Sequence, residues 1–448
     1  MSYKTHLQLY HHEMLKELKD FIKIPSVYDE KTKTQSMPFG KDVDNALAFV
    51  ASLGERYGFK VDRCDGYATE LTIGEGDKTI GIFAHADVVP ASGKWDNDPF
   101  DPVVQDGKIF GRGTSDDKGP FMAAFFATKA LEKSGLLKDF KVRIVVGGDE
   151  ERGSSCLDYY FQKLNKPAPD FGFTPDSDFP LIYGEKGITD FFCELKMNLP
   201  GVKSIKGGVA TNAVCDRVEI VLDDTTELEN YCKYGQIPYE ISGNSLIIYG
   251  KSAHGSTPEL GDNAALKTMI ALGKIYNVQA LLNLGEKLSD TTGESFNGYA
   301  ESKLLGHTTY CVGKIEYKDG MLSFTVNFRY PENVDRTAYM VNFDNEFNTL
   351  TILGEESPHL LYDPESPLVK TLYKAYRKET HDRTKPLTTG GGTYAKHCKN
   401  TIAFGALFPG RVSTMHEPNE EMPIKDIYKS AKIYARAIKM LGKLANEN

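Results

Sequence analysis

Acidic residues gather at the ends of strands that the sequence predicts to be buried. Three of them, at positions 149–151, follow the β-branched run 142–146 in "VRIVVGGDEERG". Two further predicted strands end in "AHADVV" and "TPDSDFP", and the glycine-rich loop "GRGTSDDKG" holds two more aspartates. Because functional groups in a parallel sheet collect beyond the carboxyl ends of the strands, we expect these side chains to converge on one edge.

The cost of crowding these charges indicates what the site must hold. Two carboxylates about 4 Å apart repel by roughly 4 kcal/mol at an effective dielectric constant near 20. Several such pairs would rival the total stability of a domain, which is about 5 to 15 kcal/mol. Three or four carboxylates with one or two histidines form a ligand set for divalent cations. Mixed imidazole and carboxylate ligands favour zinc, with manganese or cobalt as alternatives.

The spacing of the charged residues suggests separate tasks. His85 and Asp87 are two apart on an extended segment, so both can point to one side and the carboxylate can orient a metal-binding imidazole. Glu150 and Glu151 are adjacent and should point differently, so that one binds a metal while the other faces a bound water. Metal-assisted hydrolysis requires this division, because a carboxylate outside the ligand set takes the proton of the water.

The elements that must position these residues alternate along the chain. The sequence predicts strands at 78–85, 141–148 and 170–175, separated by helices at 119–135 and 154–164. Strand and helix in alternation are typical of a parallel sheet with helical crossovers. We therefore predict an α/β domain with a mixed, mostly parallel sheet flanked by helices.

A second domain is indicated from about residue 188, where strands with alternating polarity begin. In "MLSFTVNFRYP", residues 321–331, the apolar residues share one face, and the other face carries Ser323, Thr325, Asn327 and Arg329. This alternation predicts a half-exposed antiparallel sheet. Helical patterns return after about residue 357. The sequence thus predicts a first domain of residues 1–187 and 358–448, interrupted by an inserted α+β domain of residues 188–357.

Composition narrows the functional class and the compartment. The net charge of -9 gives no electrostatic footprint for nucleic acid. The seven cysteines are scattered and never spaced as C-x-x-C, which favours reduced thiols in a cytosolic protein. The first residues lack the apolar core of a signal peptide, and no run of eighteen apolar residues occurs. We expect a cytoplasmic protein that binds neither nucleic acid nor membrane.

Eight motifs in order resemble one metallopeptidase family. They are "HADVVP", "GRGTSDDKGP", "DEERG", "TPDSDFP", "GKSAHGSTPELGDNAA", "VNFRYP", "TTGGGTYAK" and "FPGRVSTMHEPNE". The chain resembles the family of acetylornithine deacetylase, succinyl-diaminopimelate desuccinylase, carboxypeptidase G, aminoacylase and carnosinase, and within it the PepV-type dipeptidases. The resemblance covers nearly the whole chain. It implies a zinc-peptidase-like catalytic domain that carries the inserted domain as a lid.

The resemblance also implies a role for each charged residue. One metal would be bound by His85 and Asp176, a second by Glu151 and His416, and Asp116 would bridge the pair. Glu150 becomes the general base, and Asp87 the carboxylate behind His85. Family members often carry a cis peptide bond after the bridging aspartate, which predicts one between Asp116 and Asp117.

In the inserted domain, the resemblance implies contacts with the substrate. His254 would polarise the scissile carbonyl, as an oxyanion-hole donor does, and Asn212 and Arg329 would also contact the substrate or its transition state. Gly391 and Gly392 would offer backbone N–H groups to the C-terminal carboxylate at a helix start.

The function that follows is hydrolysis of small unblocked dipeptides by a metal-bound hydroxide, with two divalent cations, most simply Zn²⁺, and Glu150 as the general base. One alternative is an N-acyl-amino-acid amidohydrolase with the same metal core. Another is a catalytically inactive protein that binds dipeptides. Because the resembling dipeptidases with a long inserted domain work as single subunits, we expect a monomer.

Overall fold

The computed structural model describes residues 1–447, which form two compact units. The first unit contains Met1–Tyr183, Tyr362–Leu387 and the described residues from Thr393 onward. The second unit contains Gly184–Leu361 and Thr388–Gly392. The short glycine-rich segment Thr388–Gly392 therefore belongs to the second unit, although the sequence assigned it to the first domain. No helix in residues 1–447 is long and apolar enough to span a membrane.

The first half of the first unit alternates between helices and strands. Its elements are α1 (Tyr3–Leu9), α2 (His11–Ile22), α3 (Lys41–Arg56), β1 (Lys60–Asp62), β2 (Ala68–Gly74), β3 (Lys78–His85), β4 (Val103–Gln105), β5 (Lys108–Phe110), α4 (Lys118–Lys133), β6 (Phe140–Gly147), α5 (Ser155–Asp158), β7 (Phe171–Thr174), β8 (Ser177–Asp178) and β9 (Ile182–Glu185). A turn of 3-10 helix at Glu150–Arg152 follows β6, and a π-helical turn at Tyr159–Lys163 extends α5.

The second unit is built on an antiparallel sheet. Its elements are β10 (Gly187–Lys196), β11 (Val202–Gly207), β12 (Arg217–Leu222), α6 (Thr226–Tyr234), β13 (Tyr239–Ser242), β14 (Ser245–Tyr249), α7 (Ala264–Ile275), α8 (Gln279–Leu288), β15 (Glu301–Ser302), β16 (Gly306–His307), β17 (Thr309–Lys318), β18 (Met321–Tyr330), α9 (Arg336–Phe347), β19 (Leu350–Leu353) and β20 (Leu360–Leu361). Eight of these strands pair in the order β13-β14-β12-β11-β17-β18-β10-β19.

The last part of the chain completes the first unit, apart from the segment Thr388–Gly392 of the second unit, which contains the end of β21. Its elements are α10 (Pro367–Thr380), β21 (Leu387–Thr389), β22 (Thr401–Ala403), β23 (Ala406–Leu407), β24 (Glu421–Pro423) and α11 (Ile424–Glu447). Helices α4 and α11 pack against each other and against β3.

The central sheet of the first unit brings three strand ends together. Its strands run in the order β1-β2-β6-β3-β7-β22-β9. The four central strands β6, β3, β7 and β22 are parallel, and the outer pairings are antiparallel. Strand β6 carries the fully buried Val142 and Val146 on one face and Val145 on the other, as a strand covered on both faces requires. The sheet is thus mixed, as predicted, and the residues that follow β6, β3 and β7 lie at one edge.

The exposure predicted for the polar face of β18 is wrong at two positions. Ser323 and Thr325 are partly exposed, but Asn327 is only 3% exposed and Arg329 only 2%. Both are buried because they bond to each other and to their neighbours. Arg329 Nε donates to Asn327 Oδ1 over 2.8 Å, and Asn327 Nδ2 donates to Asp190 Oδ1 over 2.7 Å. Polarity alone therefore does not mark the solvent face of this strand.

Candidate metal centre

The predicted site residues of the first unit follow the strand ends as expected. His85 is the last residue of β3, Asp87 lies just beyond it, and Asp176 follows β7. Asp116 lies in the loop before α4, and His416 lies in the segment between β23 and β24. The Asp116–Asp117 peptide bond is cis, as the resemblance implied.

Two groups of ligand atoms form around Asp116. The first is His85, Asp116 and Asp176, and the second is Asp116, Glu151 and His416; within each group the ligand atoms lie within 4.8 Å of one another. Asp116 Oδ1 lies 2.8 Å from His85 Nε2, and Asp116 Oδ2 lies 2.9 Å from His416 Nε2. The two oxygens of one carboxylate therefore face the two groups separately, as a bridging ligand would.

Asp87 connects the imidazole of His85 to the turn that holds the two glutamates. Its Oδ1 lies 3.3 Å from His85 Nδ1, on the side of the ring opposite to the ligand atom Nε2. The same carboxylate accepts hydrogen bonds from the backbone N–H groups of Glu150 and Glu151, both over 3.1 Å. Asp87, only 2% exposed, thus contacts the His85 imidazole and holds the turn after β6.

The electrostatics of the protein groups alone fit a site for cations. Burial, followed by the Asp116 carboxylate, raises the pKa of Asp176 to about 7. Burial and the same carboxylate also raise the pKa of Glu151. Burial acts to raise the pKa of Asp116 as well, but hydrogen bonds from His416 and His85 hold it below its usual value. Divalent cations would relieve this repulsion, and the nitrogen and oxygen donors suit zinc, manganese or cobalt.

Glu150 and Asp149 differ from Glu151 in their surroundings. Glu150 belongs to neither ligand group, and burial together with Asp176 raises its pKa well above the usual value. Asp149 caps the following helix, since its carboxylate accepts hydrogen bonds from the N–H groups of Ser155 over 3.0 Å and Cys156 over 2.9 Å. The sequence offered no role for Asp149, and the structure gives it a helix-capping one.

The predicted substrate contacts lie together in the second unit. The backbone of Gly255, next to His254, donates to Asn212 O over 2.7 Å, and His254 Nδ1 lies 2.6 Å from Ser256 Oγ. Arg329 Nη1 donates to Gly390 O over 2.7 Å, directly before Gly391 and Gly392.

Gly391 and Gly392 were expected at the start of a helix. The helix that follows them is a 3-10 helix of four residues, Tyr394–His397. Thr393 caps this helix, and its side chain accepts the hydrogen bond from Ala395 N.

One buried acid near Asp116 was not predicted. Glu420 lies inside the motif "FPGRVSTMHEPNE" and is only 1% exposed. Its carboxylate accepts hydrogen bonds from the loop that carries Asp116. Glu420 follows His416 by four residues in the sequence. The spacing of metal ligands does not identify it, because Glu420 binds backbone N–H groups.

Comparison with known proteins identifies the family. Residues 81–440 match the family model described as peptidase family M20/M25/M40. A protein of Staphylococcus epidermidis that carries the provisional name of dipeptidase is 35% identical, over 96% of this chain and 97% of its own length.

Two solved structures show the same fold. The dipeptidase Dug1p of Saccharomyces cerevisiae aligns with a TM-score of 0.63 at 16% identity, over 99% of both chains. The YXEP protein of Bacillus subtilis, described as a dinuclear metal-binding peptidase from the M20 family, aligns with a TM-score of 0.55 at 10% identity, over 97% of this chain and 99% of its own. With two candidate ligand groups that share Asp116, the chain belongs to peptidase family M20/M25/M40 and is a metallopeptidase.

Proposed function

We propose that this metallopeptidase is a dipeptidase that hydrolyses the peptide bond of small unblocked dipeptides. One observation carries the proposal: two ligand groups share Asp116, while Glu150 lies beside them and belongs to neither. The proposed metal ligands are His85, Asp116 and Asp176 for one cation and Asp116, Glu151 and His416 for the other. The dipeptidase name of relatives such as the staphylococcal protein supports a dipeptide as substrate.

The chemistry divides between the cations and the residues of the chain. Two divalent cations, for which we propose Zn²⁺ with Mn²⁺ or Co²⁺ as alternatives, would lower the pKa of a water molecule and polarise the scissile carbonyl. Glu150 takes the proton from the attacking water and passes it to the leaving amine. Asp87 keeps Glu150 in place through the backbone N–H of that residue.

Residues of the second unit are proposed to recognise the substrate. His254 would polarise the carbonyl oxygen, and Asn212 would contact the substrate or its transition state. Arg329, with the backbone N–H groups of Gly391 and Gly392, would bind the C-terminal carboxylate. The buried guanidinium supports this role, because its hydrogen bonds to Asn327 Oδ1 and Gly390 O go to neutral oxygens.

The proposed setting is a monomer in the cytoplasm. All seven cysteines are buried free thiols, which suits a reducing compartment. Sedimentation of the purified protein across a range of concentrations would test the monomer, and a concentration-dependent increase in mass would contradict it.

A substrate panel tests the proposed function. The purified protein, loaded with Zn²⁺, Mn²⁺ or Co²⁺ in turn, is assayed on unblocked dipeptides and on the matching N-acetyl and N-succinyl amino acids. We expect hydrolysis of the unblocked dipeptides. Preferential hydrolysis of the N-acyl substrates would instead identify an amidohydrolase. Binding of dipeptides without hydrolysis at full metal loading would identify an inactive binding protein.

A further inference from the structure

The carboxylate of Glu420 lies in the middle of the loop that carries Asp116. Its two oxygens accept six hydrogen bonds from five consecutive residues, 112–116. Oε1 accepts from Ser115 N over 2.8 Å, Ser115 Oγ over 2.9 Å, Asp116 N over 3.3 Å and Thr114 Oγ1 over 3.5 Å; Oε2 accepts from Gly113 N over 3.0 Å and Arg112 Nη1 over 2.8 Å. One buried side chain thus binds three backbone N–H groups of this loop, together with side-chain donors of Arg112 and Ser115.

The arrangement fixes the shape of the loop. A buried carboxylate loses its hydration, and this loss is costly unless hydrogen bonds replace the water. Here the replacement includes the backbone N–H groups of Gly113, Ser115 and Asp116, which can converge on one carboxylate only in a narrow range of backbone conformations. Because Asp116 N is one of these donors, Glu420 holds the backbone of the shared ligand itself.

Glu420 also belongs to the segment that carries the second histidine. It follows His416 by four residues, and between them Asn419 makes a reciprocal pair of hydrogen bonds with Asp96. Asp96 N donates to Asn419 Oδ1 over 2.9 Å, and Asn419 Nδ2 donates to Asp96 Oδ2 over 3.1 Å. The segment 416–420 is therefore anchored at both of its last two residues, and Glu420 joins it to the loop of Asp116.

We propose that Glu420 is a positioning residue that presets the distance between Asp116 and His416. It thereby sets the affinity of the Asp116, Glu151 and His416 group for its cation, which we call the second ion. The inference rests on the proposed metal ligands and adds a residue that contacts neither the metal nor the substrate. The first ion retains His85 and Asp176, which Glu420 does not touch, so the second ion depends on Glu420 more strongly.

The test replaces Glu420 by glutamine and measures metal binding. Glu420→Gln keeps the shape of the side chain but replaces one accepting oxygen by an NH₂ group, which faces N–H donors. Glu421→Gln is the matched control, since this neighbouring acid pairs with the partly exposed Lys108. Each full-length protein is stripped with a chelator and titrated with Zn²⁺ in competition with a chromophoric chelator. Glu151→Gln serves as the reference for a protein that has lost a ligand of the second ion only.

The expected result is a selective loss of affinity. In Glu420→Gln the second ion binds about 10- to 100-fold more weakly, as is typical when a partner of a metal ligand is lost. Glu421→Gln binds both ions as the wild type does. Wild-type affinity for both ions in Glu420→Gln would overturn the proposal. So would a lower midpoint of thermal unfolding of the metal-free variant with unchanged affinities, because that is the behaviour of a purely structural residue.

A milder variant covers the case in which Glu420→Gln does not fold, as judged by circular dichroism. Ser115→Ala removes one donor to Oε1 and leaves the backbone donors in place. We then expect a smaller loss of affinity for the same ion, and no loss would overturn the proposal. The titration needs no turnover. A wild type that binds two ions but cleaves no dipeptide would therefore refute the proposed function without affecting this test.

Discussion

Replacing Glu150 and Glu151 by glutamine, one at a time, separates proton transfer from metal binding. The two residues are adjacent in one 3-10 turn, Glu150–Arg152, and Asp87 holds the backbone N–H of each over 3.1 Å. Only Glu151 belongs to a ligand group. We therefore expect both variants to keep the fold. Glu150→Gln should lose turnover but keep its cations, whereas Glu151→Gln should lose affinity for the second ion.

The size of each defect follows from these positions. General acid–base catalysis contributes about 10²- to 10⁴-fold. Because Glu150 is proposed to act in both proton transfers, the loss of kcat in Glu150→Gln should lie near the upper limit of this range. A loss of about 10⁴-fold in kcat corresponds to about 5.4 kcal/mol in the activation free energy. Glu151→Gln removes a charged ligand, so affinity for the second ion should fall by more than the roughly 100-fold upper figure for partners of ligands.

The assay combines kinetics with metal analysis. Each variant is equilibrated with the same excess of cation, passed through a desalting column, and analysed for bound metal per chain and for kcat on one dipeptide. Glu417→Gln is the control, because this exposed neighbour of His416 belongs to neither ligand group. Glu150 is not the general base if Glu150→Gln keeps more than about a tenth of the wild-type kcat, because loss of a general base lowers kcat by about 10²-fold or more. It also fails if Glu150→Gln loses an ion that Glu151→Gln retains.

Four further predictions concern the surroundings of this pair. Asp87→Asn should lower kcat about 10- to 100-fold while two ions stay bound; kinetics and metal analysis check this, and loss of an ion would contradict it. Arg329→Met should raise KM for dipeptides by about 100-fold, as expected for loss of a charge-assisted hydrogen bond of about 3 kcal/mol, and an unchanged KM would exclude Arg329 from substrate binding. Removing the cations with a chelator should abolish hydrolysis and lower the midpoint of thermal unfolding, because ions at 100 times their Kd stabilise by about 2.7 kcal/mol; added Zn²⁺, Mn²⁺ or Co²⁺ should restore both. Burial, followed by Arg329, lowers the pKa of Lys186 to about 8, so the unfolded chain binds more protons between that pH and about 10.4. The wild type should therefore gain stability relative to Lys186→Met as pH rises from 8 to 10, and a constant difference in unfolding midpoints would refute the shift.

The candidate metal centre could be predicted from the sequence because its residues follow strand ends. A buried parallel strand must be apolar along its length, so the first charged residues after β3, β6 and β7 mark the edge where those strands finish. These clusters of charged residues contain His85, Glu151 and Asp176, the glycine-rich loop contains Asp116, and the resemblance added His416. Spacing predicted separate roles for Glu150 and Glu151, because adjacent residues cannot present both side chains to one ion in the same manner, and the resemblance assigned the role of base to Glu150.

What the sequence did not show depends on contacts between residues that are distant along the chain. Arg329 looked solvated because it alternates with apolar residues on β18, yet it is buried through its bonds to Asn327 and to the carbonyl of Gly390, 61 residues away. Glu420 had no assigned role in the sequence, because the loop 112–116 that binds its carboxylate lies more than 300 residues earlier. In both cases a buried charged side chain forms hydrogen bonds with distant backbone groups, and no local sequence pattern identifies these groups. A metal ligand can be predicted from where a strand ends, whereas a residue that positions the ligand is recognisable only when the donors that surround it are known.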